Sequence, residues 1–195
     1  MADEPSIRVR AVDMLYDGWA KLKNIHFDIR RRSGEWQSQQ HLAVDVGDGV
    51  AILPYDAQRG CVLLARQFRS PAHLATGHGF LIEACAGKLD QDDPETCARR
   101  EAMEELGYRL DRIERLFEAY SSPGALTERL TYFLAPYGPT DRVTAGGGHA
   151  EEGEDIEVLE VTLETALAMV ERGEIIDVKT IVLLQALKLS GRLAG

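Results

Sequence analysis

Apolar and polar residues alternate along the first 45 residues, which predicts a meander of short strands. The segments VRAVDML, AKLKNIHFDIRR and WQSQQHLAVDV carry this pattern. A period of two places the apolar side chains on one face of a strand. The turn signal Ser33-Gly34 separates the second segment from the third. We therefore predict a small N-terminal β domain over residues 1–45.

Residues 46–195 mix strand and helix patterns. The segments GVAILPYD and CVLLARQF contain uninterrupted apolar runs bounded by turns, which is typical of strands buried on both faces. FLIEACAG follows a Gly-rich loop, and RLFEAYSS, LTYFLAPY and DIEVLEVT are later strand candidates. TLETALAMVERGE and DVKTIVLLQALKLSG predict two closing helices. The expected class is α+β, a mixed sheet covered by helices.

One helix is sharply bounded by its own residues. Asp93 is a favoured N-cap, and Pro94 suits the first helical position, where a backbone N–H has no partner in any case. Gly107 can adopt the left-handed conformation that ends a helix. We therefore predict a helix between Asp93 and Gly107.

Three carboxylates share one stripe of this helix, because Glu101, Glu104 and Glu105 are spaced three and four residues apart. One interpretation is a solvated acidic face that Arg99 and Arg100 partly balance. The other is a metal site, since Mg²⁺ prefers oxygen ligands and the preceding loop can add backbone carbonyls.

Composition narrows the function. The formal net charge is −10 and the pI is about 5.0, without a stripe of Lys and Arg, which argues against a nucleic-acid partner. An acidic protein that handles anionic phosphates needs a divalent metal between the two. No apolar run is long enough for a membrane span, and the N-terminus lacks the apolar core of a secretory signal. We expect a soluble, cytoplasmic protein without a membrane partner.

Three cysteines are present, Cys61, Cys85 and Cys97. An odd number without a CxxC spacing argues against a disulfide framework and against a zinc site. We expect these cysteines to be buried thiols.

The stretch from Gly87 to Gly107, GKLDQDDPETCARREAMEELG, resembles the Nudix box. That pattern requires Arg-Glu, an apolar residue, any residue, Glu-Glu, any residue and Gly, which Arg100-Glu101, Glu104-Glu105 and Gly107 match. Asp93 stands where the pattern has an isolated Glu, and only six residues separate it from Arg100.

The residues before Pro94-Glu95 resemble those of the GDP-mannose pyrophosphatase branch of the Nudix superfamily. The resemblance extends beyond the box. It covers ARQFR, LIEACAGKLD, YSSPGALTERL, AGGG, EDIEVLEV and GEIIDVKT. The resemblance implies the Nudix fold, a mixed β-sheet sandwiched by helices, with a small N-terminal β-strand domain that exchanges contacts in a homodimer. It also implies Mg²⁺-dependent hydrolysis of a nucleoside diphosphate sugar, GDP-mannose first, with Mn²⁺ as an alternative metal.

The same resemblance implies the metal ligands. Glu101 and Glu105 would bind Mg²⁺, and the backbone carbonyl of Ala86 would complete one site. Glu154 would be an additional ligand with a part in water activation, so that Glu105 and Glu154 are the catalytic candidates.

The loop that carries Glu154 leaves alternatives open. HAEEGED is two residues longer than expected for the branch, so Glu151 or Glu152 could take the role of Glu154. His149 is another candidate base, although a lone loop histidine is more often incidental. The whole segment from Thr144 to Gly153 is predicted to be a flexible, Gly-rich and acidic loop.

Substrate contacts also follow from the resemblance. The implied positions are Trp19, Gln40, His41, Arg69, Ala86, Gly87, Glu128 and Lys179. Arg69 would reach a phosphate of the partner subunit's substrate, and Trp19 would stack on the base. The family has a basic and an acidic residue at the base contact, where this chain has Gln40, His41 and Leu42. Leu42 cannot accept the hydrogen bonds that guanine donates, so the nucleobase stays open.

Three alternatives remain at this point. ADP-ribose hydrolysis belongs to the same chemical class, since ARQFR and the box also resemble ADP-ribose pyrophosphatases. A nucleotide sensor that does not cut its ligand is a second alternative, although it need not keep a costly carboxylate cluster. A scaffold with a vestigial site is the third, and it would gain no stability from Mg²⁺.

Overall fold

The computed structural model describes residues 6–193, which form two compact units. The first unit contains the residues up to Asp48 together with Tyr120–Arg129, and the second contains Gly49–Ala119 and the chain from Leu130 onward. The N-terminal domain predicted over residues 1–45 begins with five residues that lie outside the described range.

The first unit is built on a three-stranded antiparallel sheet in the order β1-β2-β3. Its strands are β1 (Ile7–Asp17), β2 (Lys21–Arg30) and β3 (Trp36–Asp45). The predicted turn contains Gly34 with a φ of 92°, a conformation that glycine adopts without strain. The predicted N-terminal strands are confirmed.

A buried carboxylate holds the middle of this sheet together. Asp28 on β2 is 7% exposed and accepts hydrogen bonds from Ser38 at 2.7 Å and from Arg10 Nε at 2.6 Å. The bond from Ser38, assisted by Arg10, holds the pKa of Asp28 below its ordinary value. The side chains of all three strands are thereby joined.

The second unit contains a mixed sheet of seven strands in the order β10-β5-β4-β9-β8, with β6 paired to β5 and β7 to β4. Strand β4 runs parallel to β9 and antiparallel to β5 and β7. The strands are β4 (Gly49–Asp56), β5 (Cys61–Phe68), β6 (Phe80–Glu83), β7 (Cys85–Lys88), β8 (Glu114–Tyr120), β9 (Arg129–Pro136) and β10 (Glu157–Thr162).

Both faces of this sheet are buried. On one face Ile52 and Leu63 pack with Ala98 in a first apolar cluster, and on the other Leu64 packs with Leu184 in a second. Burying each of these large side chains stabilises the unit by about 2 kcal/mol. The expectation that VAIL and CVLLA are buried on both faces is confirmed.

Within the described residues of this unit, four α-helices cover the sheet and confirm the α+β class. They are α1 (Ser70–Thr76), α2 (Pro94–Glu101), α3 (Leu163–Glu171) and α4 (Val178–Ser190). A π-helical turn, Ala102–Leu106, follows α2, and short 3-10 turns cover Pro139–Asp141 and Ala150–Glu152.

The structure corrects two sequence expectations about single elements. The stretch FLIEACAG is two strands, because the Ala84 N–H donates to Thr180 Oγ1 at 2.6 Å instead of to a neighbouring strand. The segment before it, predicted as a Gly-rich loop, contains α1, which ends at Gly77 in the left-handed conformation.

The helix predicted from Asp93 to Gly107 is not α-helical throughout. Its last turn is π-helical, and the N–H groups of Gly107 and Tyr108 both bond to the Ala102 carbonyl. The predicted N-cap and the predicted terminal glycine are confirmed.

Candidate active site

Helix α2 begins at a fully formed cap. Asp93 Oδ1 accepts hydrogen bonds from the N–H groups of Glu95 at 3.0 Å and Thr96 at 3.2 Å, and Oδ2 accepts from the Thr96 hydroxyl at 2.5 Å. These bonds, led by the one from the Thr96 hydroxyl, lower the pKa of Asp93. The cap fixes where the helix starts and therefore where its acidic residues lie.

Glu105 directs its carboxylate into the interior. It is 3% exposed, and its Oε2 accepts a hydrogen bond from the Ala86 N–H at 3.3 Å. Burial raises the pKa of Glu105 to about 7, a bond from the Cys85 thiol opposes that rise, and the negative charge of Glu101 adds to it. Strand β7 and the π-helical turn after α2 thus meet at one carboxylate.

Glu101 lies beside the same strand, next to Gly87. A Cβ atom on Gly87 would overlap the Glu101 carboxyl group, so the backbone approaches that side chain as only glycine allows. Arg100 Nη1 forms ion pairs with Glu101 at 2.9 Å and with Glu104 at 3.0 Å. Burial raises the pKa of Glu101, and the charges of Glu104 and Glu154 raise it further.

The Gly-rich loop predicted to be flexible is bonded to the π-turn. Gly146, Gly147 and Gly148 all have positive φ. The Gly147 N–H donates to the Glu105 carbonyl at 2.9 Å, and the Gly148 N–H donates to the Glu104 carbonyl at 3.0 Å. The terminal carbonyls of a helix lack partners within it, and this loop satisfies two of them.

Docking of the loop brings Glu154 to the acidic stripe. Its Oε2 accepts a hydrogen bond from the His149 N–H at 2.9 Å, and His149 Nε2 lies 3.3 Å from Glu104 Oε1. Glu151 is exposed, and the Glu152 side chain lies outside the described part of the chain. The negative charge of Glu154 acts on Glu101 and contributes to its raised pKa.

Two predicted substrate contacts of the second unit share one partner. Glu83, 3% exposed, forms ion pairs with Arg69 at 2.7 Å and with Lys179 at 3.0 Å. The sequence reasoning missed Glu83, although a charged residue within the apolar strand LIEACAG was a usable signal. The positive charge of Arg69 also acts on Glu105.

The other predicted contacts lie in the first unit. Trp19 follows β1 and is 78% exposed, and Gln40 is an exposed residue of β3. His41 meets Phe27 edge-on, with 5.2 Å between ring centroids. Glu128 accepts a hydrogen bond from the Ser121 hydroxyl at 2.5 Å.

Carboxylate and backbone carbonyl oxygens are the donors that a hard divalent cation prefers, and Glu101, Glu105 and Ala86 offer them. Among residues 6–193, no three His, Cys, Asp or Glu side chains stand close enough to hold a metal ion. Within the same range, no basic side chain forms an ion pair with the buried Glu105. A buried carboxylate is unfavourable unless it is paired or ligates a metal, so a cation held by Glu105 and the Ala86 carbonyl would satisfy it.

Two comparisons with protein-family models cover most of the chain. Residues 46–178 match the NUDIX domain, and residues 6–42 match the GDP-mannose pyrophosphatase NudK N-terminal domain. The chain belongs to the Nudix family. The predictions of this family, its fold and a Nudix hydrolase are confirmed. Nudix hydrolases generally use a divalent metal such as Mg²⁺.

Curated Nudix relatives are similar over nearly their whole length. A GDP-mannose pyrophosphatase of Yersinia pestis (strain Pestoides F) is 47% identical over 89% of this chain and 87% of its own. A protein of the same name from Enterobacter sp. (strain 638) is 44% identical over 93% of this chain and 94% of its own. Another from Pectobacterium atrosepticum is 47% identical over 88% of this chain and 89% of its own.

The remaining expectations concern the state of the cysteines and membrane-spanning helices. All three cysteines are free, with Cys85 and Cys97 buried and Cys61 only partly so. No helix among residues 6–193 has both the length and the apolar character that a membrane span needs.

Proposed function

We propose that this protein is a Mg²⁺-dependent hydrolase that cleaves the pyrophosphate bond of a nucleoside diphosphate sugar. The products are a nucleoside monophosphate and a sugar 1-phosphate, and GDP-mannose is the first candidate substrate. The observation that carries the proposal is the buried Glu105, bonded to the Ala86 N–H beside Glu101 within the Nudix box. The printed names of relatives that match along 87–94% of their length support the substrate class.

Four groups would hold the metal: the Ala86 carbonyl and the carboxylates of Glu101, Glu105 and Glu154. Bound Mg²⁺, or Mn²⁺ in its place, would neutralise phosphate charge and lower the pKa of a water. Glu101 would have to exchange its ion pair with Arg100 for the cation. Glu154 would exchange its bond from the His149 N–H in the same way.

Protein groups supply the rest of the chemistry. Arg69 and Lys179 are the cations proposed to bind the phosphates, whose negative charge they would neutralise. Glu154 is the proposed acceptor of the proton that the attacking water loses, and Glu105 is the second catalytic carboxylate. The Ala86 N–H bonds to Glu105 and Gly87 packs against Glu101, and both residues are proposed substrate contacts.

The proposed contacts of the base and sugar are Trp19, Gln40, His41 and Glu128. Leu42, 56% exposed on β3, offers no acceptor to the donor edge of guanine. That single observation favours ADP-ribose as the second candidate substrate.

We further propose a homodimer built through the first unit. Strand β1 is exposed along its whole length and carries several large apolar side chains, namely Ile7, Val9, Val12, Met14, Leu15 and Tyr16. Contiguous exposed apolar surface is typical of a protein interface. Sedimentation velocity of the wild type should give twice the 21.6 kDa chain mass, and Val12→Asp should shift the equilibrium towards the monomer. A wild type that sediments as a monomer would contradict the dimer.

The function is tested by phosphatase-coupled phosphate release from GDP-mannose, ADP-ribose, ADP-glucose, UDP-glucose and GTP, each with Mg²⁺ or with EDTA. Metal-dependent release from a sugar nucleotide supports the proposal and names the base. No release from any of the five, under conditions in which a Nudix hydrolase of known activity turns over, would replace it with a ligand-sensing function.

A further inference from the structure

Glu83 lies between two cations at the end of β6. Its Oε2 accepts from Arg69 through Nε at 2.8 Å and Nη2 at 2.7 Å, and its Oε1 accepts from Lys179 Nζ at 3.0 Å. The Glu83 side chain is 4% exposed, whereas Arg69 is 39% and Lys179 14% exposed. The carboxylate is thus hidden beneath two cations that reach towards solvent.

A second carboxylate secures the same region without Glu83. Asp177 caps α4 by accepting from the Thr180 N–H at 3.0 Å and from the Thr180 hydroxyl at 2.5 Å. That hydroxyl in turn accepts from the Ala84 N–H at 2.6 Å, which ties α4 to the junction of β6 and β7. The attachment of the helix to the sheet therefore has its own hydrogen bonds.

The two cations keep donors for a ligand. The ammonium group of Lys179 has three N–H donors, of which one bonds to Glu83 and one to Asp177 at 2.9 Å. Arg69 has five donors, and two of its nitrogens face Glu83. Within residues 6–193, no further acceptor takes the remaining N–H groups of either side chain. The charge of Arg69 acts on Glu105, which places this pair of cations within electrostatic reach of the carboxylate cluster.

We propose that Glu83 is a positioning residue that holds Arg69 and Lys179 side by side as one binding site for the phosphates of the substrate. Two adjacent cations repel each other, and both side chains are long and rich in rotamers. A buried carboxylate that bridges them removes the repulsion and fixes both side chains before the substrate arrives. This inference rests on the proposed function and deepens it.

The main test is Glu83→Gln, measured by steady-state kinetics on the substrate that the wild type cleaves fastest. The amide keeps the size of the side chain but cannot neutralise two cations. We expect KM to rise about tenfold while kcat changes by less than about threefold, the signature of lost binding that is equal in ground and transition states. A merely structural role would lower the melting temperature and leave KM of the folded enzyme unchanged.

A double-mutant cycle tests whether Glu83 acts through its partner. Lys179→Ala should raise KM by itself. Adding Glu83→Gln to Lys179→Ala should raise KM by clearly less than Glu83→Gln does in the wild type, because the effects of mutating residues that act together do not add. The matched control is Glu160→Gln, which removes the ion pair with Arg59 in the same unit and should leave KM unchanged. Glu83→Asp serves if Glu83→Gln does not fold, since its shorter carboxylate cannot span both cations and should also raise KM.

Each outcome decides the proposal. An unchanged KM in folded Glu83→Gln, or in Glu83→Asp when Glu83→Gln does not fold, would overturn it. Effects that multiply fully in the double mutant would overturn it as well. A wild type that cleaves no sugar nucleotide would overturn the proposed function and this inference together, which distinguishes that failure from a failure of Glu83 alone.

Discussion

Glu105 places a carboxylate where a negative charge is unfavourable. Its one backbone donor, the Ala86 N–H at 3.3 Å, and a thiol bond from Cys85 compensate only part of the cost of burial. A side chain in this environment adds little to stability as an anion, which supports the proposed chemical role of the carboxylate. A substitution of Glu105 should therefore lower activity while leaving the stability of the fold nearly unchanged.

Glu105→Gln should leave the fold intact and abolish turnover. The amide has the same size and carries no charge, so the free energy of unfolding should change by about 1 kcal/mol or less. The hydrolysis rate with Mg²⁺ should fall roughly 10²-fold or more, because a charged group at the reaction centre is lost. Glu157→Gln, on the exposed side of β10, is the control and should be fully active. Normal turnover by Glu105→Gln would refute the site assignment.

Gly87→Ala should inactivate the enzyme by moving Glu101. The added methyl group overlaps the Glu101 carboxyl group, so either that side chain or strand β7 must shift. Gly138→Ala is a matched control, because Gly138 has an ordinary extended φ of −136° and its Cβ atom would meet Asp141 Oδ2 at a comfortable 3.9 Å. Turnover measures the activity of both variants, and circular dichroism checks that both are folded. A fully active Gly87→Ala would show that hydrolysis does not require Glu101 in its present position.

Local motifs predicted some site residues and could not predict others. Glu101 and Glu105 were predicted because the Nudix box places them at fixed spacing within one helix. Glu83 was not, since its partners Arg69 and Lys179 are 14 and 96 positions away along the chain. The roles assigned to Trp19 and the other substrate contacts stay predictions.

At the scale of elements, helix α2 shows which features local chemistry determines. Its start was predicted from Asp93 and Pro94, because capping involves only neighbouring residues. The π-turn after α2 was not predicted. Its carbonyls accept hydrogen bonds from Gly147 and Gly148, which are about 40 residues away along the chain and not visible in a local motif. Helix α1 did have local signals that were overlooked, a proline near its start and Gly77 at its end.

The Asp93 cap should stabilise the protein in a pH-dependent manner. Hydrogen bonds lower the pKa of Asp93, so its contribution is fully present above the ordinary aspartate pKa of about 3.9 and is lost as the pH falls through the lowered value. Asp93→Ala should reduce the free energy of unfolding at pH 7, and the difference from wild type should shrink at low pH. Urea unfolding between pH 7 and pH 3 measures it. Asp93→Asn should keep most of the stability at pH 7, and an Ala variant as stable as wild type would contradict the role of the cap.

At the scale of the whole chain, the family, the α+β class and the principal strands were predictable. The periodicity of apolar residues and the breadth of the resemblance carried that information. The assignment of Tyr120–Arg129 to the first unit depends on contacts with distant residues, such as the bond from Arg129 to Asp48 at 2.6 Å. The boundary near residue 45 stays a prediction.

Binding of Mg²⁺ should stabilise the whole protein. A ligand that binds only the folded state raises the free energy of unfolding by about 2.7 kcal/mol at a concentration one hundred times its Kd. Thermal denaturation with increasing Mg²⁺ should therefore show a rising Tm that EDTA reverses. Glu101→Gln should lose most of the shift, whereas Glu157→Gln should keep it. A Tm that does not respond to Mg²⁺ or Mn²⁺ would count against the proposed metal site.

The docked glycine loop has a consequence for observing the enzyme at work. Two of its amide protons, on Gly147 and Gly148, are engaged by carbonyls of the residues that carry the acidic stripe. Their exchange with deuterated solvent requires the loop to lift from the π-turn, so the exchange rate reports how often the loop separates from the proposed metal ligands. Glycine amides resonate in a distinct region of a nitrogen–proton correlation spectrum. Gly147 and Gly148 are therefore two isotopic reporters of opening at the candidate active site.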